Sequence, residues 1–354
     1  MKMTEPRISI VVACRNEIRH MDGFLETLLA QDMTGIGWEA IIADGMSTDG
    51  TREMLDDYCA GNPNIRVISN PGRIVSTGLN LAIRAAQGEI ILRMDAHTYY
   101  APDYCRCSVE TLLTTGAENV GGPARTRAKG VVHRAISAAY HSRFSTGGAR
   151  FHDENYEGWV DTVPYGCWKK ETLEQIGLFD EKLIRNQDDE LNLRLIRAGG
   201  KIWQSPRIVS WYSPRTTVSG LFHQYFQYGF WKVMVIRKHR MPASWRHLVP
   251  AGFVAANVAL AGASLVALMA GAPAWAALFG GVWLMLVSTY VLAITGASVL
   301  AARRSGWETL PWLPLVFGAY HFSYGFGFLA GMARVLTAPS STFSDRSLFA
   351  RITR

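Results

Sequence analysis

Acidic residues are nearly missing from the C-terminal part of this 354-residue chain. Residues 215–354 hold 2 Asp+Glu against 12 Lys+Arg, whereas residues 1–214 hold 27 against 24. The net charge of +7 is therefore the balance of −3 in the first part and +10 in the second. The basic part is also the apolar part. That pairing speaks against a nucleic-acid groove and for cationic flanks of membrane helices. Zinc spacing is missing too: Cys14, Cys59, Cys105, Cys107 and Cys167 form no CxxC pair and read as reduced thiols of a cytosolic domain. No signal sequence is expected, because Met1–Pro6 is polar and the short run Ile8–Ala13 is followed by charges.

What is present in residues 1–214 is an alternation of short β-rich runs and amphipathic stretches. Ile8–Ala13 predicts a buried strand, followed by a helix to about Gln31. Trp38–Ala43 predicts a second strand. It runs into Asp44-Gly45-Met46-Ser47-Thr48-Asp49-Gly50-Thr51, a loop of small residues and acids able to cap the next helix. Ile65–Ser69 is a third strand, and a helix over Ser76–Ala86 leads to Ile90–Arg93, which ends in Met94-Asp95-Ala96-His97. Such alternation argues for a mostly parallel sheet covered on both faces, with ligands at the carboxyl ends of its strands. Glu17, Asp44, Arg73 and Asp95 all follow strand ends, so they are expected in one crevice. Asp95 and His97, as alternate positions, point the same way. Together they form either a partial shell for a divalent cation, manganese more naturally than calcium, or a solvated turn.

Four ordered runs make the pattern specific: Ile8–Glu17, Ala43–Thr51, Gln87–His97 and Gly177–Arg194. Together they resemble the family-two inverting glycosyltransferases of GT-A fold. Val160–Gly166, Asn186–Arg194 and Gln224–Lys232 are similar to the succinoglycan-type (ExoA-like) membrane glycosyltransferases. The resemblance implies an α/β, Rossmann-like catalytic domain with a mostly parallel sheet over residues 1–214, joined to a C-terminal α-helical membrane region. It also implies a nucleotide-diphosphate sugar, UDP favoured, contacted by Ala13, Arg15, Glu17, Asp44, Arg73 and Asp95. Asp95 and His97 occupy the family's metal motif, for Mn2+ or Mg2+, with histidine where the last acid usually stands. Alignment on Leu191 and Arg194 places Asp188 on the catalytic base, with Gln187 replacing a glutamate. Tyr165, Gly166, Trp168, Glu190, Gln227 and Trp231 are the acceptor candidates. Trp168 either stacks on a sugar or packs, and Asp49 either supports its loop or caps a helix.

The stretch Gly121–Arg150 holds Arg125, Arg127, Lys129, Arg134, Arg143 and Arg150 and no acid. It is a solvated basic face, or a contact for acidic lipid or a lipid-linked diphosphate. Residues 215–246 have the aromatic and cationic composition of an interfacial helix. Gln227-Tyr228-Gly229-Phe230-Trp231 is similar to the Gln-x-x-Arg-Trp motif of processive synthases but has phenylalanine for arginine, which argues against a processive polymerase. Within residues 247–335 three apolar segments follow: 248–270, 275–302 and 310–332. The third carries Pro311, Pro314, several glycines and His321, and is expected to be kinked or re-entrant. A tail, 336–354, closes the chain. The cationic flank at 237–246 places the catalytic domain in the cytoplasm at a multi-pass inner membrane.

The expected function is transfer of one sugar, glucose favoured, to a polyprenyl-diphosphate-linked acceptor in exopolysaccharide or envelope glycan synthesis, without nucleic-acid partners. Two alternatives remain open. One is a polyprenyl-phosphate sugar transferase or short-chain synthase of the same fold. The other is a non-catalytic membrane scaffold with a residual nucleotide site.

Overall fold

The computed structural model describes residues 8–337; most of the expected tail, from residue 338 on, lies outside them. β1 (Ile8–Cys14) is apolar almost throughout because both of its faces are covered. Ile8, Ile10 and Val12 face one helical layer and Val11 the other. α1 (Ile18–Leu29) buries Met21, Phe24, Leu25 and Leu28, one stripe at helical spacing, in the first layer. β2 (Trp38–Asp44), α2 (Thr51–Gly61), β3 (Ile65–Ser69), α3 (Val75–Ala85) and β4 (Ile90–Arg93) continue the alternation, with α3 in the second layer. β5 (Thr98–Tyr100), α4 (Tyr104–Thr115) and β6 (Asn119–Gly121) follow. After an excursion through α5 (Val131–Tyr140) and α6 (Arg143–Thr146), the chain returns as β7 (Gly158–Val160), β8 (Cys167–Lys169), α7 (Lys170–Gln175), α8 (Gln187–Arg197), β9 (Ile202–Gln204) and β10 (Ser210–Tyr212).

Eight strands form one sheet in the order β3-β2-β1-β4-β8-β6-β9-β7. The first four are parallel; β8 and β7 run against their neighbours. β5 and β10 pair separately, Tyr99 opposite Trp211. The result is a mostly parallel mixed sheet between helical layers. At the amino ends of β1 and β2 sits a satisfied polar knot. The Ser9 hydroxyl donates to Glu39 (2.7 Å), the Gln87 N–H to the same carboxylate (2.6 Å), and Arg66 to its other oxygen (3.1 Å). Every partner belongs to the scaffold, so this buried acid ties the fold together and faces away from the expected crevice.

The chain divides into two compact units. The sheet unit comprises residues up to 127 and 150–213; residues 128–149 group with everything from Pro214 on. An unbroken domain over 1–214 is thus not what forms, because α5 buries Ala135, Ile136 and Ala139 in the core of the helical unit. The helical unit adds α9 (Val218–His239), α10 (Val249–Met269), α11 (Pro273–Ser305) and α12 (Leu313–Thr337). Among the described residues, two helical stretches are long and apolar enough to cross a membrane: Trp245–Met269, with mean hydropathy 1.9, and Pro273–Ser305, with mean hydropathy 2.0.

The third apolar segment, 310–332, is one continuous helix from Leu313 on, and Pro311 lies in the turn before it. Pro314 falls in the first turn of α12, where a missing N–H leaves no bond broken. Gly327 and Gly331 serve close contact with α9, and Gly325 with α10. A Cβ on Gly327 would lie 2.0 Å from the Phe226 carbonyl oxygen, and one on Gly229 would lie 2.1 Å from that of Tyr324. α9 in turn buries Gln227, Phe230, Trp231, Lys232 and Val233, around most of its circumference. It is a packed helix of the unit rather than one resting a single side on a surface. His321 is satisfied on both ring nitrogens: Nε2 donates to the Phe144 carbonyl (2.9 Å), so Nδ1 accepts the Tyr290 hydroxyl (3.0 Å). That is the bundle-facing role rather than a functional one.

Candidate active site

The carboxyl ends of β1 and β2 lie side by side, Cys14 opposite Asp44. The loops that follow are stitched together. The Asn16 N–H donates to Ser47 Oγ, the Thr48 N–H to Asn16 Oδ1 and the Glu17 N–H to Thr51 Oγ1, each at 2.9 Å. The Ile18 N–H reaches Asp49 Oδ2 at 3.2 Å, while Asp49 Oδ1 accepts from the Thr51 N–H (3.1 Å) and hydroxyl (2.6 Å). Asp49 therefore both ties the loops and tethers the start of α2. Gly45 marks the closest approach: a Cβ there would meet Arg15 Cβ at 3.0 Å and the Cys14 carbonyl at 3.1 Å.

This stitching brings Glu17, Asp44 and Asp49 around the Cys14 thiol. Burial first, then those three carboxylates, push that thiol far above its ordinary range and keep it neutral. Glu17 and Asp44 are themselves buried. Acceptor-only carboxylates grouped at a sheet edge suit a ligand rich in N–H and O–H donors, as a nucleoside is. Arg15, half-buried on the same loop, has an Nε with no acceptor among the described residues. Ala13 lies next to Cys14 on β1, packed so tightly under α3 that a Cβ on Gly78 would approach its own Cβ to 2.9 Å. Arg73 is exposed in the turn after β3. Its backbone is left-handed (φ 59°) and its N–H is on the Asn70 carbonyl at 3.0 Å.

Along the same edge β4 ends in Arg93, a buried arginine with two acidic partners. Nε and Nη2 grip both oxygens of Asp95 (3.0 and 3.1 Å), and Nη1 bonds Asp188 Oδ1. The Asp95 N–H donates to the Tyr100 hydroxyl at 2.6 Å. Asp188 is the second residue of α8, which starts beyond a left-handed Asn186 (φ 60°). An acid there is favoured by the helix dipole. Protein lies close around the carboxyl, and this desolvation raises its pKa above the ordinary carboxylate range. Arg93 opposes the rise, while the charges of Asp95 and Asp189 add to it. His97 follows Asp95 by two residues, edge-on to Tyr212 with centroids 6.1 Å apart. Among the described residues no group of three His, Cys, Asp or Glu side chains gathers to hold a metal ion. Asp95 and His97 supply two donors at most.

Packing accounts for several of the acceptor candidates. Trp168 is a core residue, 2 % exposed and edge-on to Phe179; it packs and offers no face to a sugar. Gly166 (φ 107°) is the residue this packing demands, since a Cβ would fall 2.3 Å from the Trp168 ring. Glu190 is fully buried and clamped by Arg194 through two bonds (2.7 and 3.0 Å), which makes it part of the scaffold of α8. Gln227 and Trp231 are buried in the helical unit. Tyr165 does stand beside the Asp95 loop, its hydroxyl 2.7 Å from Thr98 Oγ1, with a strained left-handed backbone (φ 60°). The basic stretch is largely engaged as well. Arg125 pairs with Glu154 and Arg134 with Glu308, while Arg127 and Arg150 stack on Trp211 and Tyr156.

Sequence reasoning gave Arg93 no role. The available signal was its position: a guanidinium in an otherwise apolar buried strand requires acidic partners.

The mostly parallel mixed sheet between helical layers, with acids along its carboxyl edge, is a fold of the GT-A type. Residues 9–169 match the model of Glycosyl transferase family 2. The chain is 32 % identical over 320 residues, 89 % of its own length and 97 % of the relative's, to the Succinoglycan biosynthesis protein ExoA of Rhizobium meliloti (strain 1021). It belongs to glycosyltransferase family 2. A second relative, 26 % identical over 335 residues (92 % of this chain, 97 % of that one), is the dolichyl N-acetyl-alpha-D-glucosaminyl phosphate 3-beta-D-2,3-diacetamido-2,3-dideoxy-beta-D-glucuronosyltransferase of Methanococcus voltae. In fold the chain is similar to the mannosyltransferase PcManGT from Pyrobaculum calidifontis, solved in complex with GDP-Man and Mn2+. The TM-score is 0.59 at 20 % identity, over 92 % of this chain and 88 % of that one.

Proposed function

We propose that the protein is a membrane-anchored, inverting glycosyltransferase. It moves one sugar from a nucleotide-diphosphate donor, UDP-glucose favoured, to a polyprenyl-diphosphate-linked acceptor in exopolysaccharide or envelope glycan synthesis. The observation that carries this reading is the shared edge. Glu17, Asp44 and Asp49 gather at the ends of β1 and β2, and Asp188 opens α8 beside Asp95 at the end of β4. The first group receives the base and ribose, and Arg15 and Arg73 face the diphosphate. Asp188 accepts the proton of the acceptor hydroxyl as its oxygen bonds the anomeric carbon. The bond from that carbon to the diphosphate oxygen breaks on the opposite side, and the nucleoside diphosphate leaves. One in-line displacement inverts the anomer and needs no enzyme nucleophile.

Each Asp95 oxygen keeps a lone pair beyond its bond to Arg93, and with one imidazole it fits a divalent cation, Mn2+ or Mg2+, whose other ligands would come from substrate and water. Asp95 and His97 would hold it, and it would supply charge neutralisation at the leaving diphosphate. The fold likeness to a transferase solved with GDP-Man and Mn2+ supports this cation and keeps a guanosine donor beside the uridine one. The similarity to a succinoglycan biosynthesis protein and to a dolichyl-phosphate sugar glycosyltransferase supports glycan synthesis and a lipid-linked sugar acceptor. The exposed α10–α11 hairpin supports anchoring in the cell membrane, and the basic residues at 237–246 support a cytoplasmic catalytic unit.

The test is a donor screen with the full chain in detergent. UDP- and GDP-sugars are offered with Mn2+, Mg2+ or EDTA and membrane lipid extract as the acceptor source. Transfer from one donor, abolished by EDTA, is the expected result. Nucleotide binding without turnover of any donor would defeat the reading in favour of a scaffold.

A further inference from the structure

Two carboxylates with separate tasks share one buried cation. Asp95 comes from the end of β4, and Asp188 from α8, ninety-odd residues later in the chain. The side chain that spans them is Arg93, and it has little freedom to do otherwise. Its N–H is fixed on the Gly166 carbonyl at 3.1 Å, its strand neighbour across β1 is Val11, and its guanidinium carbon lies 6.0 Å from the centre of the Phe179 ring. Three of its five N–H directions are spent on the two acids, two on Asp95 and one on Asp188. A lysine, with one nitrogen, cannot reproduce that fork.

We propose that Arg93 is a positioning residue of the transfer site, fixing the distance and orientation of Asp188 relative to the diphosphate side marked by Asp95. The inference rests on the transfer reading above and deepens it. A proton acceptor only helps when held within hydrogen-bond reach of the attacking oxygen and in line with the leaving group. Asp188 stands on the first turn of a helix, with a side chain only partly covered by protein. Arg93 converts it from a loosely held acid into one with a set direction.

The experiment compares wild type, Arg93→Lys, Arg93→Ala, Asp188→Asn and the Arg93→Lys/Asp188→Asn double variant, all as full chains in detergent. Readouts are kcat and KM for the donor, thermal melting, and calorimetric binding of UDP or GDP with Mn2+. Arg93→Lys should lower kcat about 10²-fold, as misplacement by an ångström does, while nucleotide Kd, which depends on Asp95 alone of the two acids, should rise by less than about tenfold. Added to Asp188→Asn it should cost less than about another threefold, because both act through one group. Guanidinium at millimolar concentrations should restore part of the activity of Arg93→Ala. Full activity in Arg93→Lys overturns the inference, as do multiplying effects in the double variant or loss of nucleotide binding together with kcat. Absence of transfer by wild type itself overturns the reading on which it rests, and the inference with it.

Discussion

Arg93 and Asp188 form an ion pair of unequal exposure: the arginine side chain is 4 % accessible, the aspartate 39 %. The cation is sealed in the sheet while the carboxylate it holds opens to solvent. That asymmetry suits the proton acceptor proposed here, since the acceptor hydroxyl must reach one partner and not the other.

Replacing Asp188 by Asn keeps the shape of the side chain and removes the proton acceptor. Loss of a general base costs about 10²–10⁴-fold in kcat. Nucleotide affinity should stay within about threefold, since the base and ribose are assigned to the acids at β1 and β2 and not to Asp188. Single-turnover kinetics beside calorimetry with UDP or GDP and Mn2+ checks both halves. A variant with wild-type kcat would move the base elsewhere.

The pH profile carries the sign of the Asp188 shift. Its pKa is raised, so the group is still protonated where an ordinary aspartate, titrating near ~4, is already charged. Activity should therefore fall on the acid side at a pH above that value. Asp189→Asn removes one of the charges that raise it and should move the limb towards lower pH. A limb at or below about pH 4 would contradict the assignment.

Asp49 binds the two loops, and its loss should loosen the nucleotide side. Burial pushes its pKa up, but the bonds from Thr51 and Ile18 prevail and hold it below the usual range. A depressed carboxylate stabilises above its unfolded value and loses that contribution as pH falls through the folded one. Asp49→Ala should weaken UDP binding about tenfold, equivalent to ~1.4 kcal/mol, and lower the melting temperature at neutral pH. Below about pH 4 the melting difference should shrink.

Gly327→Ala tests the contact of α9 with α12. The added methyl would meet the Phe226 carbonyl, and overpacking of this kind costs about 1–3 kcal/mol. Gly262→Ala, where a Cβ meets nothing within 4 Å, is the control and should melt like wild type or slightly higher in detergent.

Much of the sheet unit was legible because its signals are local. β1 is a buried run of strand length, α1 repeats its apolar residues at helical spacing, and acids follow strand ends. What escaped depends on contacts distant in sequence. Composition cannot separate a glycine that bends a helix from one that admits a neighbour, so α12 was expected to be irregular. Trp168 and Glu190 sit within motifs of site-like character, yet burial against Phe179 and a clamp from Arg194 decide their roles. The chemistry of Arg93 was hidden because one of its partners lies 95 residues away. The excursion of 128–149 has no mark in sequence, since an amphipathic α5 would serve either unit.

The hairpin of α10 and α11 has unequal arms. On α10 the last buried position is Val254, and on α11 the first is Ile294. Between them Ala255–Met269 makes an uncovered arm of about 22 Å, and Pro273–Ala293 one of about 31 Å. A hydrocarbon layer of about 30 Å matches the longer arm alone. On the proposed anchoring, the shorter would complete the crossing only by drawing its own buried first turns down to the headgroups. Bilayer thickness, rather than a slack tether, would then set the height at which the helical unit rides. A thinner membrane would relieve that pull and a thicker one increase it.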